Sequence, residues 1–456
     1  MRKVIEFQIL DTNAIHYGIK LSDLMDNAGA GIADYIISNF NLSTSISFVC
    51  GTGNNGGDGY VASNILIKKG YDVEIFTVSK PNTGLLKEKY DLISDSAKSI
   101  VELSDLEDKA TVVVDCLLGS GIKGNPRPPY NKYIDFINGF DTIISIDMPS
   151  GLGTKYSVKP DVTITFHDYK IGMDENNSGI IVLHDVGFPQ ELDESTGPGE
   201  LLLYPAFDYE KHKGQNGKVA VIGGGLYPGA PALSALGCYR AGADLVHVFV
   251  PESSFDQVST FAPELLVHKL SGEIVTKKNL NALFEQDFDS IVIGPGMGKD
   301  SLSLEAVKTV IKNCNNVVID ADAISKYDFQ NKNIILTPHK GELTRLGIKP
   351  SKKDLIEFSS KNNVTLLLKG KTDVITDGHF VKKNTTGHPR MAVGGSGDVL
   401  AGICGAFMAR GLTPFESARL GSYCIGKAGE ECYNEIGSGF LPTDLAVFVS
   451  KVLKKI

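Results

Sequence analysis

Short β-branched runs ending in glycine or aspartate alternate with helical patterns along nearly the whole chain, and this alternation restricts the fold more than any other feature. In the first half the runs are Ser47–Cys50, Val73–Val78, Thr111–Asp115, Thr142–Asp147 and Val162–Phe166. Their hydrophobicity is continuous rather than alternating, which suits strands buried on both faces in a parallel sheet covered by helices. Ahead of them, Ser22 is placed to cap a helix carrying Leu24, Met25, Ala28, Ile32 and Ile36 on one face. The second half repeats the scheme with Lys218–Gly223, Leu245–Val250, Ser290–Gly294, Val317–Asp320 and Val364–Lys369, then turns mostly helical from 395.

Between about 187 and 216 the pattern breaks into Gly187-Phe-Pro, Thr196-Gly-Pro-Gly and Lys211-His-Lys-Gly-Gln-Asn-Gly. Loops of that composition mark linkers, which places a seam near 205 and divides the chain into 1–205 and 206–456. A length of 456 residues gives each part enough chain for its own core. A net charge of −9 carries no footprint of a nucleic-acid or anionic-membrane partner. The seven cysteines form no CxxC pair, and their odd number argues against a disulfide framework, so they read as reduced core thiols. The apolar run at the N-terminus is too short for a signal peptide, and no stretch reaches the ~18 apolar residues that span a bilayer. A cytoplasmic protein is expected.

Several motifs mislead. Gly51-Thr-Gly-Asn-Asn-Gly56 fits the dinucleotide fingerprint, but the acid wanted at the end of the next strand is missing; that strand ends Thr77-Val-Ser79. Gly370-Lys-Thr372 lacks the first glycine of a P-loop, and Gly421 to Lys427 has Ala428 where the hydroxyl should stand. No HExxH and no Cys/His cluster occurs, so zinc is not indicated.

Three strand ends in the first half carry polar equipment. Gly53-Asn-Asn-Gly-Gly-Asp-Gly59 offers backbone amides and polar side chains at a helix N-terminus, where an anion binds well. Asp115 is followed by Gly119 to Asn125, and Asp147 by Met-Pro-Ser-Gly151. Ligands of open parallel sheets bind at the carboxyl ends of strands. Converging there, Asn55, Asp115 and Ser150 could supply oxygen ligands to a mixed cation and phosphate site; turn-forming glycines and capping aspartates are the plainer reading. In the second half, Gly394-Gly-Ser-Gly-Asp398 opens a buried helix with an anion hole. An aspartate beside such a hole repels phosphate, so Asp398 reads as a base for a hydroxyl attacking a phosphoryl group, with a capping role as the alternative. Lys369 to Asp373 forms a cradle for a nucleotide. Gly294 to Gly298 leaves bare backbone for a ligand, and His339 in Thr337–Glu342 is a neutral hydrogen-bonding partner.

The set Leu24-Met-Asp-Asn-Ala-Gly29, Gly51–Gly59, Asp115–Gly121 and Ser145–Gly151 resembles the YjeF N-terminal family, the NAD(P)H-hydrate epimerases, over most of 1–205. The resemblance implies a Rossmann-like three-layer sandwich. It implies that Asn54, Asn55, Gly56, Gly57 and Asp58, with Gly119, Ser120, Gly121, Ile122, Lys123, Gly124 and Asn125, hold a hydrated nucleotide. It further implies K⁺ on Asn55, Asp115 and Ser150, and Asp147 as the acid/base at the hydrated carbon. Asp26 stands where that family usually has Glu.

The motifs Lys213–Gly224, Tyr227–Leu233, Gly294–Gly298, Asp320-Ala-Asp, Thr337–Glu342 and Met391–Gly402 resemble ribokinase-like α/β/α kinases, and more closely their NAD(P)H-hydrate dehydratase branch, over nearly all of 207–456. By that likeness Ala230, Gly298, His339 and Asp398 contact the hydrate. Lys369, Gly370, Lys371, Thr372, Asp373 and Gly397 contact ADP or ATP, with Mg²⁺. Val393 and Gly387-His-Pro-Arg390 depart from the usual pattern beside the anion hole. Together the resemblances imply repair of hydrated NADH and NADPH by a homo-oligomer: epimerisation of the R and S hydrates, then dehydration of one. The rival is a small-molecule kinase of ribokinase type with a non-catalytic N-terminal binding module.

Overall fold

The computed structural model describes residues 1–95, 97–99 (backbone only), 111–119, 124–329 and 332–454. The chain divides into two compact units, Met1–Leu192 and Asp193–Ile456.

In the first unit, β1 (Ser45–Cys50), β2 (Asp72–Thr77), β3 (Ala97–Ser99), β4 (Val112–Cys116), β5 (Ile143–Ile146), β6 (Val162–Phe166) and β7 (Ile180–His184) form one sheet. Their order is β3-β2-β1-β4-β5-β6-β7, and every pairing is parallel. Alternate residues of each central strand enter opposite cores. Phe48, Val114 and Ile144 pack with Ala28, Ile32 and Ile36 of the helix Leu21–Asn39, whereas Val49, Val113 and Ile143 meet Tyr133, Ile134 and Ile137 of the helix Tyr130–Ile137. The result is the expected three-layer sandwich. Strand order runs outward in both directions from β1 and β4, so their carboxyl ends flank a crevice suited to a ligand.

In the second unit, β8 (Lys218–Ile222), β9 (Leu245–Pro251), β10 (Leu266–Leu270), β11 (Ser290–Ile293), β12 (Asn316–Ile319), β13 (Asn333–Leu336), β14 (Thr365–Leu368), β15 (Asp373–Thr376) and β16 (Val381–Asn384) run in the order β10-β9-β8-β11-β12-β13-β14-β15-β16. The first seven in that order are parallel, and β15 and β16 close the edge antiparallel. Here the switch lies between β8 and β11. The expected helical end is present as Ser396–Ala409, Pro414–Ile436 and Pro442–Leu453.

Two expectations need adjusting. Ser22 lies inside the helix Leu21–Asn39 rather than capping it, and its hydroxyl donates to Asp23 instead. The apolar face foreseen for that helix is buried. The segment 193–205 goes with the second unit, not the first. There Thr196 N donates to Lys383 O at 3.0 Å, Glu194 pairs with Lys383 at 2.8 Å, and the buried Glu200 pairs with Arg419 at 3.1 Å. As expected, Gly421 and its Walker-like neighbours form no P-loop: they lie within the helix Pro414–Ile436. All seven cysteines are free thiols. Among the described residues, no helix is long and apolar enough to cross a membrane.

Candidate active sites

At the first switch point the chain approaches itself closely: a Cβ on Gly51 would stand 1.8 Å from Leu117 O, so only glycine lets the β1 and β4 loops meet. The loop then enters the helix Asn54–Lys68. A cavity of about 440 Å³ opens here, lined among others by Asn54, Asn55, Asp58, Gly119 and Asp147. Gly56 and Gly57 lie in the same helical turn, where bulk would strike Gly51 O and Met25. Gly124 and Asn125 are exposed, and Asn125 Oδ1 is taken up by Lys155 N at 3.1 Å. Ser120 to Lys123 lie outside the described residues.

Asp115 holds the neighbouring loops together. Its buried carboxylate accepts from Ser150 Oγ at 2.6 Å, Ser150 N at 2.9 Å, Ser145 Oγ at 2.8 Å and Leu117 N at 3.2 Å. Burial pushes this carboxyl up, and those hydrogen bonds oppose the push. Asn55 Nδ2 donates to Ile146 O at 3.1 Å, while the buried Asn55 Oδ1 has no hydrogen-bond partner.

The remaining charges were only partly legible in the sequence. Asp147 sits at φ +66°, a backbone region unfavourable for a side chain, and its Oδ1 lies 2.6 Å from Lys170 Nζ. Lys170 is 1% exposed, also donates to Thr165 Oγ1 at 2.8 Å, and lies 4.2 Å from the centre of the Phe7 ring. Asp11 and His167 line the same cavity. Burial foremost, then the charge of Asp147, raises Asp11 to about 6, against the opposite pull of Lys170 and His167. Burial, then Asp147 and Asp11, pushes Asp58 well above the carboxylate range. Lys170 stands in a strand-end loop and so had a visible signal. Asp11 lies mid-helix and had none.

In the second unit, the loops after β8 and β11 lock together: Gly224 N donates to Pro295 O at 2.9 Å and Tyr227 N to Gly296 O at 3.2 Å. Gly296 thereby comes against Ala230, and Gly298 against Leu226. Gly395, at φ +103°, turns the chain into the helix Ser396–Ala409, whose first-turn amides have no partner within the helix. This helix crosses Gly229–Arg240 so tightly that a Cβ on Gly402 would lie 1.9 Å from Ser234 O, and Ser234 Oγ donates to Asp398 O at 2.8 Å. Asp398 is thus fixed from behind.

Facing it, Lys369 Nζ lies 2.7 Å from Asp320 Oδ1 and would be 3.1 Å from a Cβ on Gly397. Burial foremost, then the charge of Asp320, raises Asp398 to about 7, while Lys369 lowers it. His339 is bridged to Lys369 along the backbone; its Nδ1 accepts from Gly341 N at 2.9 Å, and its own N donates to Glu342 Oε2 at 2.9 Å. Lys371 and Thr372 are exposed at the turn between β14 and β15. Asp373 closes that turn, accepting from Gly370 N at 2.9 Å and Ser422 Oγ at 2.6 Å, so it shapes the cradle. Sequence reading had Asp320 and Glu342 only as parts of motifs.

Both units are therefore α/β folds with polar sites at their switch points, and in the second the Asp398 carboxyl stands in the first turn of the helix Ser396–Ala409. Residues 219–451 match the family described as NAD(P)H-hydrate dehydratase, and residues 21–172 the YjeF-related protein N-terminus. The bifunctional NAD(P)H-hydrate repair enzyme Nnr of Archaeoglobus fulgidus is 37% identical, covering 98% of this chain and 97% of its own. That of Methanothermobacter thermautotrophicus is 33% identical, covering 99% and 95%. The ADP/ATP-dependent NAD(P)H-hydrate dehydratase of Bacillus subtilis, co-crystallised with ATP/Mg²⁺, superposes with a TM-score of 0.51 at 25% identity, over 56% of this chain and 96% of that one. The chain belongs to the family of bifunctional NAD(P)H-hydrate repair enzymes.

Proposed function

We propose that this chain repairs hydrated NADH and NADPH, the first unit interconverting the R and S hydrates and the second dehydrating the S form with ADP or ATP. The observation that carries the reading is Asp398, raised to about 7 beside the anion hole at Gly395 to Gly397. Hydroxide is a poor leaving group. Asp398 takes the proton of the hydrate's hydroxyl, the oxygen attacks the terminal phosphoryl group as the P–O bond to the departing AMP or ADP breaks, and the C–O bond then breaks with phosphate carrying the electron pair. Loss of a proton from the adjacent carbon restores the ring double bond. The first-turn amides stabilise the charge in transfer. Ala230, Gly298 and His339 would flank the hydrate, and Lys369 to Thr372 with Gly397 the nucleotide.

Among the described residues no three acidic, histidine or cysteine groups converge to hold a metal by themselves. Mg²⁺ fits as a companion of the nucleotide, keeping phosphate oxygens as ligands and neutralising their charge. In the first unit, the unpartnered Asn55 Oδ1 beside the Asp115–Ser150 pair suits K⁺, an oxygen-seeking monovalent ion. Asp147 is the acid/base group at the hydrated carbon.

The test is incubation of the pure chain with mixed hydrates and ADP or ATP, followed by NADH absorbance. Recovery of both epimers is expected. Recovery of one alone removes the epimerase assignment, and accumulation of a stable phosphoester in place of NADH indicates a small-molecule kinase.

A further inference from the structure

The helix Val4–His16 precedes the stretch matched to the YjeF-related family, yet it forms one wall of the cavity around Asp147. Phe7, Gln8 and Asp11 face inward from it, as residues one turn apart must. Three carboxyls, Asp11, Asp58 and Asp147, thus line one cavity, and Lys170 is engaged with Asp147 at 2.6 Å. His167 lines the cavity beside them. Like charges that share one site oppose each other's ionisation, so Asp11 and Asp58 hold their protons to higher pH than free carboxyls do.

We propose that Asp11 is a second catalytic carboxyl of the first unit, acting as the acid while Asp147 acts as the base. This rests on the epimerase reading above. The hydrated carbon is bonded to both the hydroxyl and the ring nitrogen, so its configuration is inverted by opening and re-forming the C–O bond. Asp11 gives its proton to the hydroxyl as that bond breaks; water leaves with the electron pair, and the nitrogen lone pair forms a C=N⁺ bond. Water then adds to the other face, its proton passes to Asp147, and the π electrons return to nitrogen. The reverse direction uses the two carboxyls in exchanged roles. No oxidant or further reactant is required. Burial holds Asp58 above the ordinary carboxylate range as well, and Asp11 at about 6 can both give and take a proton near neutrality.

The test measures epimerisation of purified R hydrate without nucleotide, across pH, in the full chain carrying Asp11→Asn or Asp11→Glu. Wild-type kcat/KM is expected to fall as pH rises through about 6. Asp11→Asn should lower epimerisation at least ~100-fold and abolish that limb in the residual rate, with dehydration of pure S hydrate unchanged. Asp11→Glu, which keeps the carboxyl, should restore part of the rate and the limb. An Asn variant within about threefold of wild type, or one that loses rate but retains the wild-type limb, overturns the inference by the usual scale of acid catalysis. If the wild-type chain itself does not epimerise, the epimerase reading fails instead.

Discussion

Lys369 donates to Asp320 across 2.7 Å, and Thr337 Oγ1 donates to the same carboxylate oxygen, also at 2.7 Å. The three residues follow β14, β12 and β13, which are neighbours in the sheet, so three strand ends converge on one oxygen. Asp320 raises Asp398 and Lys369 lowers it, and this pair therefore sets how tightly Asp398 holds its proton.

Asp320→Asn should move the acidic limb of the dehydration rate to lower pH. Removing that charge takes away a repulsion on ionised Asp398 and frees Lys369 to attract it, and both effects favour the carboxylate. The rate against pH from about 5 to 8, measured with S hydrate and ADP or ATP, checks the shift.

Asp398→Asn removes the proposed base and is expected to lower dehydration by roughly 10²–10⁴-fold, leaving epimerisation intact. The same change should stabilise the fold at alkaline pH. Folding raises this carboxyl from 3.8 to about 7, so the native state holds the proton more tightly than the unfolded chain. Stability contributed by the group is complete below pH 4 and is lost as pH rises through 7. The Asn variant should therefore melt above wild type at pH 8, with the difference vanishing near pH 4.

Gly402→Ala should cost about 1–3 kcal/mol, because the new methyl meets backbone at the helix crossing rather than a yielding side chain. The shift would carry Asp398 with it, so kcat for dehydration should fall too. Gly439→Ala is the control: nothing lies within 4 Å of its added methyl, and the expected change is within about 0.5 kcal/mol. Denaturant melts of both variants decide the point.

Asp115→Asn should destabilise the first unit by roughly 1–3 kcal/mol, since buried donors on Ser150, Ser145 and Leu117 share that carboxylate and the replacement amide cannot accept from all of them. Epimerisation should be lost at a lower temperature than in wild type, while dehydration of pure S hydrate keeps its wild-type temperature dependence.

Most inner strands were legible as continuous apolar runs: β1, β4, β5, β8, β11 and β12 begin and end within about two residues of the expected positions, as local patterns allow. The outlying β7 and β10 were missed: β7 carries the apolar run Ile180-Ile-Val-Leu183 but lies in the glycine-flanked stretch before the seam with Ile180 and Leu183 exposed, and in β10 His268 and Lys269 interrupt the run. The antiparallel pair β15 and β16 escaped for a related reason, carrying Lys382 and Lys383 where a hidden strand would have apolar residues.

By itself the sequence determined where the chain turns and which turns are polar, since glycine spacing, strand ends and helix starts are written within a few residues. Asn55, Asp147 and Asp398 were legible for that reason. The tertiary structure decided which charges meet. Asp11 joins Asp147 and Lys170, and Asp320 joins Lys369 and Asp398, only through sheet order and helix packing. Burial and neighbouring charge then fix how each carboxyl holds its proton, and neither is a property of a short stretch of chain.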